Sequence, residues 1–292
     1  MAGRAQDQAG AQLWRLAAIT LPTPAALATG GPAAFWNPAQ EVGADVQAGL
    51  DVIQAPAEIA ASGLVATIHV RVPNVGHVGV LYGRMEMSDL VRTTSSPEPE
   101  PGGIAFFAHT LGLTWTRAFA GTGLGVTLAA HENRLDAQES RRWTADVGVA
   151  RQIGPRLRVA AATHFLSPTG EAEARDVYGA VGVRMFRGEL WRGSGEGTVE
   201  LRYGVSGAHG FPVDHLLGLG FELGRVLSVD LLAAREGGYA EPAWRPVGGL
   251  RVAVGRYRVT VARDAGINDV TSAFRVGLEV RGGLRGLRGP RD

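Results

Sequence analysis

The chain has 292 residues, 45% hydrophobic and 20% charged, with a formal net charge of +1. A balance this close to neutral excludes an electrostatic nucleic-acid partner. The absence of cysteine excludes disulfides and thiolate metal sites. The 42 glycines are about twice the usual share of roughly 7%. No lysine occurs, so arginine supplies every non-histidine cation. That fits a GC-rich genome, or arginine forks paired with carboxylates in a confined interior.

Residues 1–40 show no strand alternation and are rich in Ala, Pro and Gly. The uncharged run 16–40 contains Pro22, Pro24, Pro32, Pro38 and Gly30-Gly31, which rule out a spanning helix. Gly3-Arg4-Ala5 carries small residues where a signal peptidase wants them. A mature start at Gln6 and an ordinary polar N-terminus both stay open.

From residue 41 the pattern changes to period two. Alternating segments run over 41–53, 62–72, 75–86, 104–119, 122–133, 142–153, 156–166, 176–186, 197–206, 216–224, 226–235, 247–255, 256–264 and 273–282. The hairpin 142–166 is the clearest. Trp143, Ala145, Val147 and Val149 alternate with Thr144, Asp146, Gly148 and Ala150. After the Gly154-Pro155 turn, Leu157, Val159, Ala161 and Phe165 alternate with Arg158, Ala160, Ala162 and His164. Most segments approach the 9–11 residues that cross a bilayer at a barrel's tilt.

Very short connections at Pro73-Asn74, Ala120-Gly121, Gly154-Pro155, Gly224-Arg225 and Gly255-Arg256 alternate with longer polar ones at 56–61, 87–103, 134–140, 167–175, 207–215, 236–246 and 265–272. Only 187–196 is long where a short turn is expected. This asymmetry predicts an all-β, transmembrane up-and-down antiparallel barrel of about 14 strands, with periplasmic turns and extracellular loops. The same reading expects residues 1–40 to form an N-terminal periplasmic plug or hatch segment, 41–282 the barrel and 283–292 a tail. Aromatics near strand ends (Phe119, Trp143, Phe165, Tyr257, Phe274) supply interfacial girdles, so the apolar face meets outer-membrane lipid. The other face is small, with Gly148, Ala150, Ala160, Ala162, Gly218, Gly220, Ala253 and Gly277, which leaves room in a lumen.

That lumen face carries Arg158, Arg202, Arg251, Arg258 and Arg275 against Glu200, Glu222, Asp230 and Glu279. They form either a polar pathway or a self-neutralising network; the balance argues against a strongly ion-selective pore. The seven histidines form no metal-ligand spacing, and no GxSxG is present. The expectation is no metal, no cofactor and no enzymatic activity. Residues 193–197 are Gly-rich and read as a turn; 97–101 form a stiff acidic loop.

Residues 30–40, GGPAAFWNPAQ, are a rigid apolar knot in which Phe35 and Trp36 need burial between prolines. Asn37-Pro38-Ala39 after Phe35-Trp36 resembles the N-terminal motif of two outer-membrane families, the FadL-like long-chain fatty-acid transporters and the PorV/PorQ-type barrels. Both place such a segment ahead of about fourteen strands. Here Gln40 stands where Gly is usual, the chain is short for either family, and residues 282–292 lack the terminal aromatic of barrel insertion signals. The first resemblance implies a bacterial outer-membrane protein that binds or passes a hydrophobic ligand through a plugged lumen. The second implies an accessory scaffold of a secretion or envelope complex, with a protein partner at the extracellular loops. On either, Phe35, Trp36, Asn37, Pro38 and Ala39 are the ligand or hatch residues.

Overall fold

The computed structural model describes residues 2–30, 32–40, 43–91, 103–167, 175–189, 195–208, 210–224, 226–237, 243–266 and 271–283. The alternating segments form strands β1 (Val46–Gln54), β2 (Ala61–Val72), β3 (Gly76–Met87), β4 (Phe106–Phe119), β5 (Thr122–Leu135), β6 (Gln138–Ile153), β7 (Leu157–Leu166), β8 (Asp176–Glu189), β9 (Glu196–Ala208), β10 (Asp214–Leu223), β11 (Leu227–Glu236), β12 (Ala243–Val254), β13 (Tyr257–Asp264) and β14 (Phe274–Gly282). Each pairs antiparallel with its sequence neighbours. β1 closes on β14 from Val46↔Gly282 to Gln54↔Phe274, giving a closed fourteen-stranded barrel without a free edge.

The alternation decides which face meets lipid. Val147, Val252, Val259 and Leu278 are 36–45% exposed, and Leu113 on mid-β4 reaches 64%. Phe119 and Tyr257 stand outward at the short-turn end, Trp143 and Phe274 outward toward the loop end. Together they bound an apolar outer band, the inverse of a soluble barrel.

Three expectations need correction. Phe165 is no girdle residue: it is 3% exposed and points inward beside His164. A register shift between Ala145 and Val147 breaks the β6–β7 ladder. Phe165 takes φ +60°, and its N–H is donated to the side-chain Oδ1 of Asp146 on β6 at 2.8 Å. The polar connection expected at 134–140 is a tight hairpin, since β5 and β6 pair out to Leu135↔Gln138 and Asp136 takes φ +57°. The break expected at 187–196 also shrinks, because β8 and β9 pair out to Glu189↔Glu196. Charged residues there extend the strands where a hydrophobic pattern stops. Most of loops 87–103 and 167–175, the acidic run 97–101, part of the 193–197 turn and most of the tail 283–292 lie outside the described residues.

The N-terminal residues carry no strand, as their sequence predicts, and form helices: α1 (Ala2–Ala18), a 3-10 turn (Ala25–Leu27) and α2 (Ala33–Trp36). The alanine- and glutamine-rich composition of α1 favours helix, and Pro22 stops it. The main buried hydrophobic cluster joins this segment to the inner wall, with Leu13, Trp14, Ala17, Leu27, Phe35 and Trp36 against Val65, Leu81, Met85 and Tyr178.

Candidate functional site

The segment packs on the inner wall across the middle of the barrel. Its lower part is the Asn-Pro-Ala knot. Asn37 Oδ1 accepts the Ala39 N–H at 2.9 Å, a local turn that Asn makes readily, while its Nδ2 donates to Ala26 O at 2.9 Å. The knot is fastened to the wall by Thr116 Oγ1 donating to Pro38 O at 2.5 Å, by His164 Nε2 donating to Trp36 O at 2.6 Å, and by Arg158 to Gln40 Oε1. Gln40, the departure from the usual motif, thus bridges Arg158 and Ala26 O. Phe35 packs between Trp14 at 4.8 Å and Trp36 at 4.9 Å, ring centre to ring centre. The wall approaches closely because it is bare: a Cβ at Gly125 would collide with the Pro38 carbonyl, and one at Gly148 with Asn37 Oδ1.

The upper part is α1. Carbonyls at and just past its end are received by wall arginines: Arg275 Nη2 donates to Ala17 O at 2.5 Å and Arg245 Nη1 to Ile19 O at 2.7 Å. Cations at a helix C-terminus complement its dipole and satisfy orphan acceptors. Each arginine has a wall carboxylate: Asp51 lies 2.6 Å from Arg275 and Asp264 3.5 Å from Arg245. Arg275 also donates to Thr20 Oγ1 at 3.0 Å and lies 5.7 Å over the Trp36 ring. Arg15 on α1 reaches Asp176 at the start of β8, at 2.7 Å and 2.9 Å.

Beside α1, toward the loop end, lies a cavity of about 500 Å³. Leu13, Leu16 and Ile19 of the segment face Phe106, Tyr178 and Leu232 of the wall across it, with Arg15, Asp176, Asp214 and Arg245 as its charged groups. An apolar chamber with a few fixed polar groups, within the usual range of about 300–1,000 Å³, suits a small hydrophobic molecule.

The sequence-assigned lumen residues fall together lower down, mostly as ion pairs. Arg202 meets Glu200 at 2.7 Å and also Asp230, which Arg251 approaches at 3.9 Å. Arg258 lies 3.7 Å from Glu279, which Arg281 also contacts. Arg275 stands apart at the helix clamp, and Glu222 is exposed at the short-turn mouth. Phe35, Trp36, Asn37, Pro38 and Ala39 are all buried against the wall but do not line the apolar cavity. The cavity residues Leu13, Leu16, Arg15, Asp176 and Tyr178 escaped sequence reasoning. Leu13, Leu16 and Ala17, three and four apart, were the available helical signal.

No family model matches the chain, and no curated protein matches it. Among solved structures it is similar to the toluene transporter TbuX of Ralstonia pickettii, at 13% identity and a TM-score of 0.54, covering 89% of this chain and 98% of that one. It is also similar to the toluene transporter TodX of P. putida, at 10% identity and a TM-score of 0.54, covering 87% and 94% respectively. At such identities the likeness is one of fold. With the outward apolar band and the closed fourteen-stranded sheet, it makes this chain an outer-membrane β-barrel with helical segments held in its lumen.

Proposed function

We propose that the barrel takes up a small hydrophobic molecule from the loop side and holds it in the cavity beside α1, as a step in passage through a plugged lumen. The cavity carries this reading, because it lies between the N-terminal segment and the wall. Movement of that segment would change its walls and its exits. The two neighbours of similar fold are toluene transporters, and the Asn37-Pro38-Ala39 motif resembles that of FadL-like barrels. Both point to the same ligand class.

Toluene is the probe. Titrated into the purified barrel in detergent, it should bind saturably. Leu232→Trp, which fills the cavity from the wall, should weaken that binding by about tenfold or more, with the β signature unchanged. Equal binding by the filled variant would remove the cavity from the account. A barrel indifferent to apolar ligands, purifying with a protein seated on its loops, would favour the accessory-scaffold reading.

A further inference from the structure

Inside the short-turn end, a chamber of about 1570 Å³ opens at the level of the turns. Four arginines that point into it are engaged: Arg71 near Asp45, Arg202 with Glu200, Arg281 with Glu279 and Arg158 with Gln40. Two arginines of the same level stand on the other side of the wall, where they face lipid. Alternation carries the outward face of β4 from Leu113 to Arg117 and Phe119, and that of β6 from Val149 to Arg151.

The pairing register gathers these side chains. Phe119 lies opposite Thr122 and Thr122 opposite Arg151, so a ring, a hydroxyl and a guanidinium form one row across β4, β5 and β6. Arg117 stands two residues nearer mid-strand, and its guanidinium stacks 4.7 Å over the Phe119 ring. Leu124 and Val149, registered with each other and 39% and 38% exposed, continue the outer face toward the bilayer centre. Among the described residues no carboxylate pairs with Arg117 or Arg151. The sequence explains why: residues 101–131 and 147–170 contain neither Asp nor Glu. This part of the outer wall carries cations alone.

We infer that this patch binds the phosphate of an anionic glycerophospholipid in the periplasmic leaflet. Guanidinium forks match phosphate oxygens geometrically. Phe119 marks the headgroup level, where aromatic rings of a barrel settle. A phosphate held there by Arg117, Arg151 and the Thr122 hydroxyl leaves its acyl chains over Leu124 and Val149. A zwitterionic lipid fits less well, since its ammonium finds no carboxylate on the patch and two cations stay unneutralised. The inference rests on the outward face and the short turns facing the periplasm. It is independent of the guest in the upper cavity, so the two readings fail separately.

The test uses the full barrel in a neutral detergent, given equal amounts of phosphatidylglycerol and phosphatidylcholine with the same acyl chains. Native mass spectrometry reads which lipid stays bound. Phosphatidylglycerol should be retained over phosphatidylcholine. The double change Arg117→Gln and Arg151→Gln should lower its retention about tenfold or more, as expected when two cations are removed beside an anionic headgroup. A loop-end double of the same charge change, Arg141→Gln and Arg263→Gln, should cost little. Strand content by circular dichroism shows that both doubles fold, and the lipid preference of the unchanged chain is decisive without either. Equal retention of the two lipids by the unchanged chain would overturn the assignment. So would equal losses in the two doubles, or none in the first. Displacement of the lipid by millimolar inorganic phosphate would mark a free-anion site and overturn it as well.

Discussion

Single side chains here do two jobs, neutralising the wall and gripping the N-terminal segment. Arg275 does both: it neutralises Asp51 and receives the end of α1. Arg275→Leu should destabilise the barrel by about 3–5 kcal/mol, because Asp51 is left without its partner in a confined interior. Amide exchange in α1 should rise with it; unchanged exchange would show that the helix is held by other contacts. On the outer face, Leu113→Arg places a charge in the lipid band at mid-strand and should cost about 2–4 kcal/mol in barrel unfolding, whereas the lumen-side Arg251→Gln should be milder. A loop contact gives the pH prediction. Glu58 accepts from Thr271 Oγ1 at 2.7 Å and from the Thr271 N–H at 3.2 Å. That hydrogen bonding, the hydroxyl's first, holds the Glu58 carboxyl below its ordinary value of 4.5. A depressed acid stabilises above its ordinary pKa and loses the contribution as pH falls through the folded one. The protection of the Thr271 amide, its exchange measured against the intrinsic rate at each pH, should therefore fall on acidification in the native protein and lose that pH dependence in Glu58→Gln. Protection that does not change with pH in the native protein would remove the contact.

Among the elements, strands were legible and the helix was not. A strand facing lipid on one side and a lumen on the other must alternate, and that pattern located all fourteen within a few residues. Where pairing runs past the lipid band, as at Arg134↔Glu139 and Gly188↔Gly197, hydrophobicity no longer marks the strand and the sequence reads as loop. Phe165 was misassigned because a bulge reverses the parity of every later side chain, and nothing in the local composition announces it. α1 was missed because its apolar side is short and partly alanine, and its partners are wall residues far away in sequence. The Asn-Pro-Ala knot was visible, since Pro and Asn constrain the backbone locally; its fasteners, Thr116, Arg158 and His164, were not. The segment yields its own prediction. Deleting residues 8–39 should raise single-channel conductance with the β signature intact, because lumen width grows with strand number and the filling would be gone. Unchanged conductance would mean that the lumen is blocked by something else.

At the scale of the whole molecule, the lumen is divided into three levels. An apolar chamber lies near the loops, a helical segment and its knot fill the middle, and a basic chamber opens at the short turns. The ion pairs of Arg202, Glu200, Asp230, Arg251, Arg258 and Glu279 stand along the lower wall, where unpaired charges would otherwise face a narrow interior. Only the upper level is built for an apolar guest, and the central claim stands or falls there. The most direct measurement is a density map of the purified barrel equilibrated with toluene. The account predicts density for the guest between Leu13 and Leu16 of α1 and Leu232 of β11, with the knot still in place. A saturated sample with that chamber empty, or with the guest only in the arginine-lined chamber below, would contradict it.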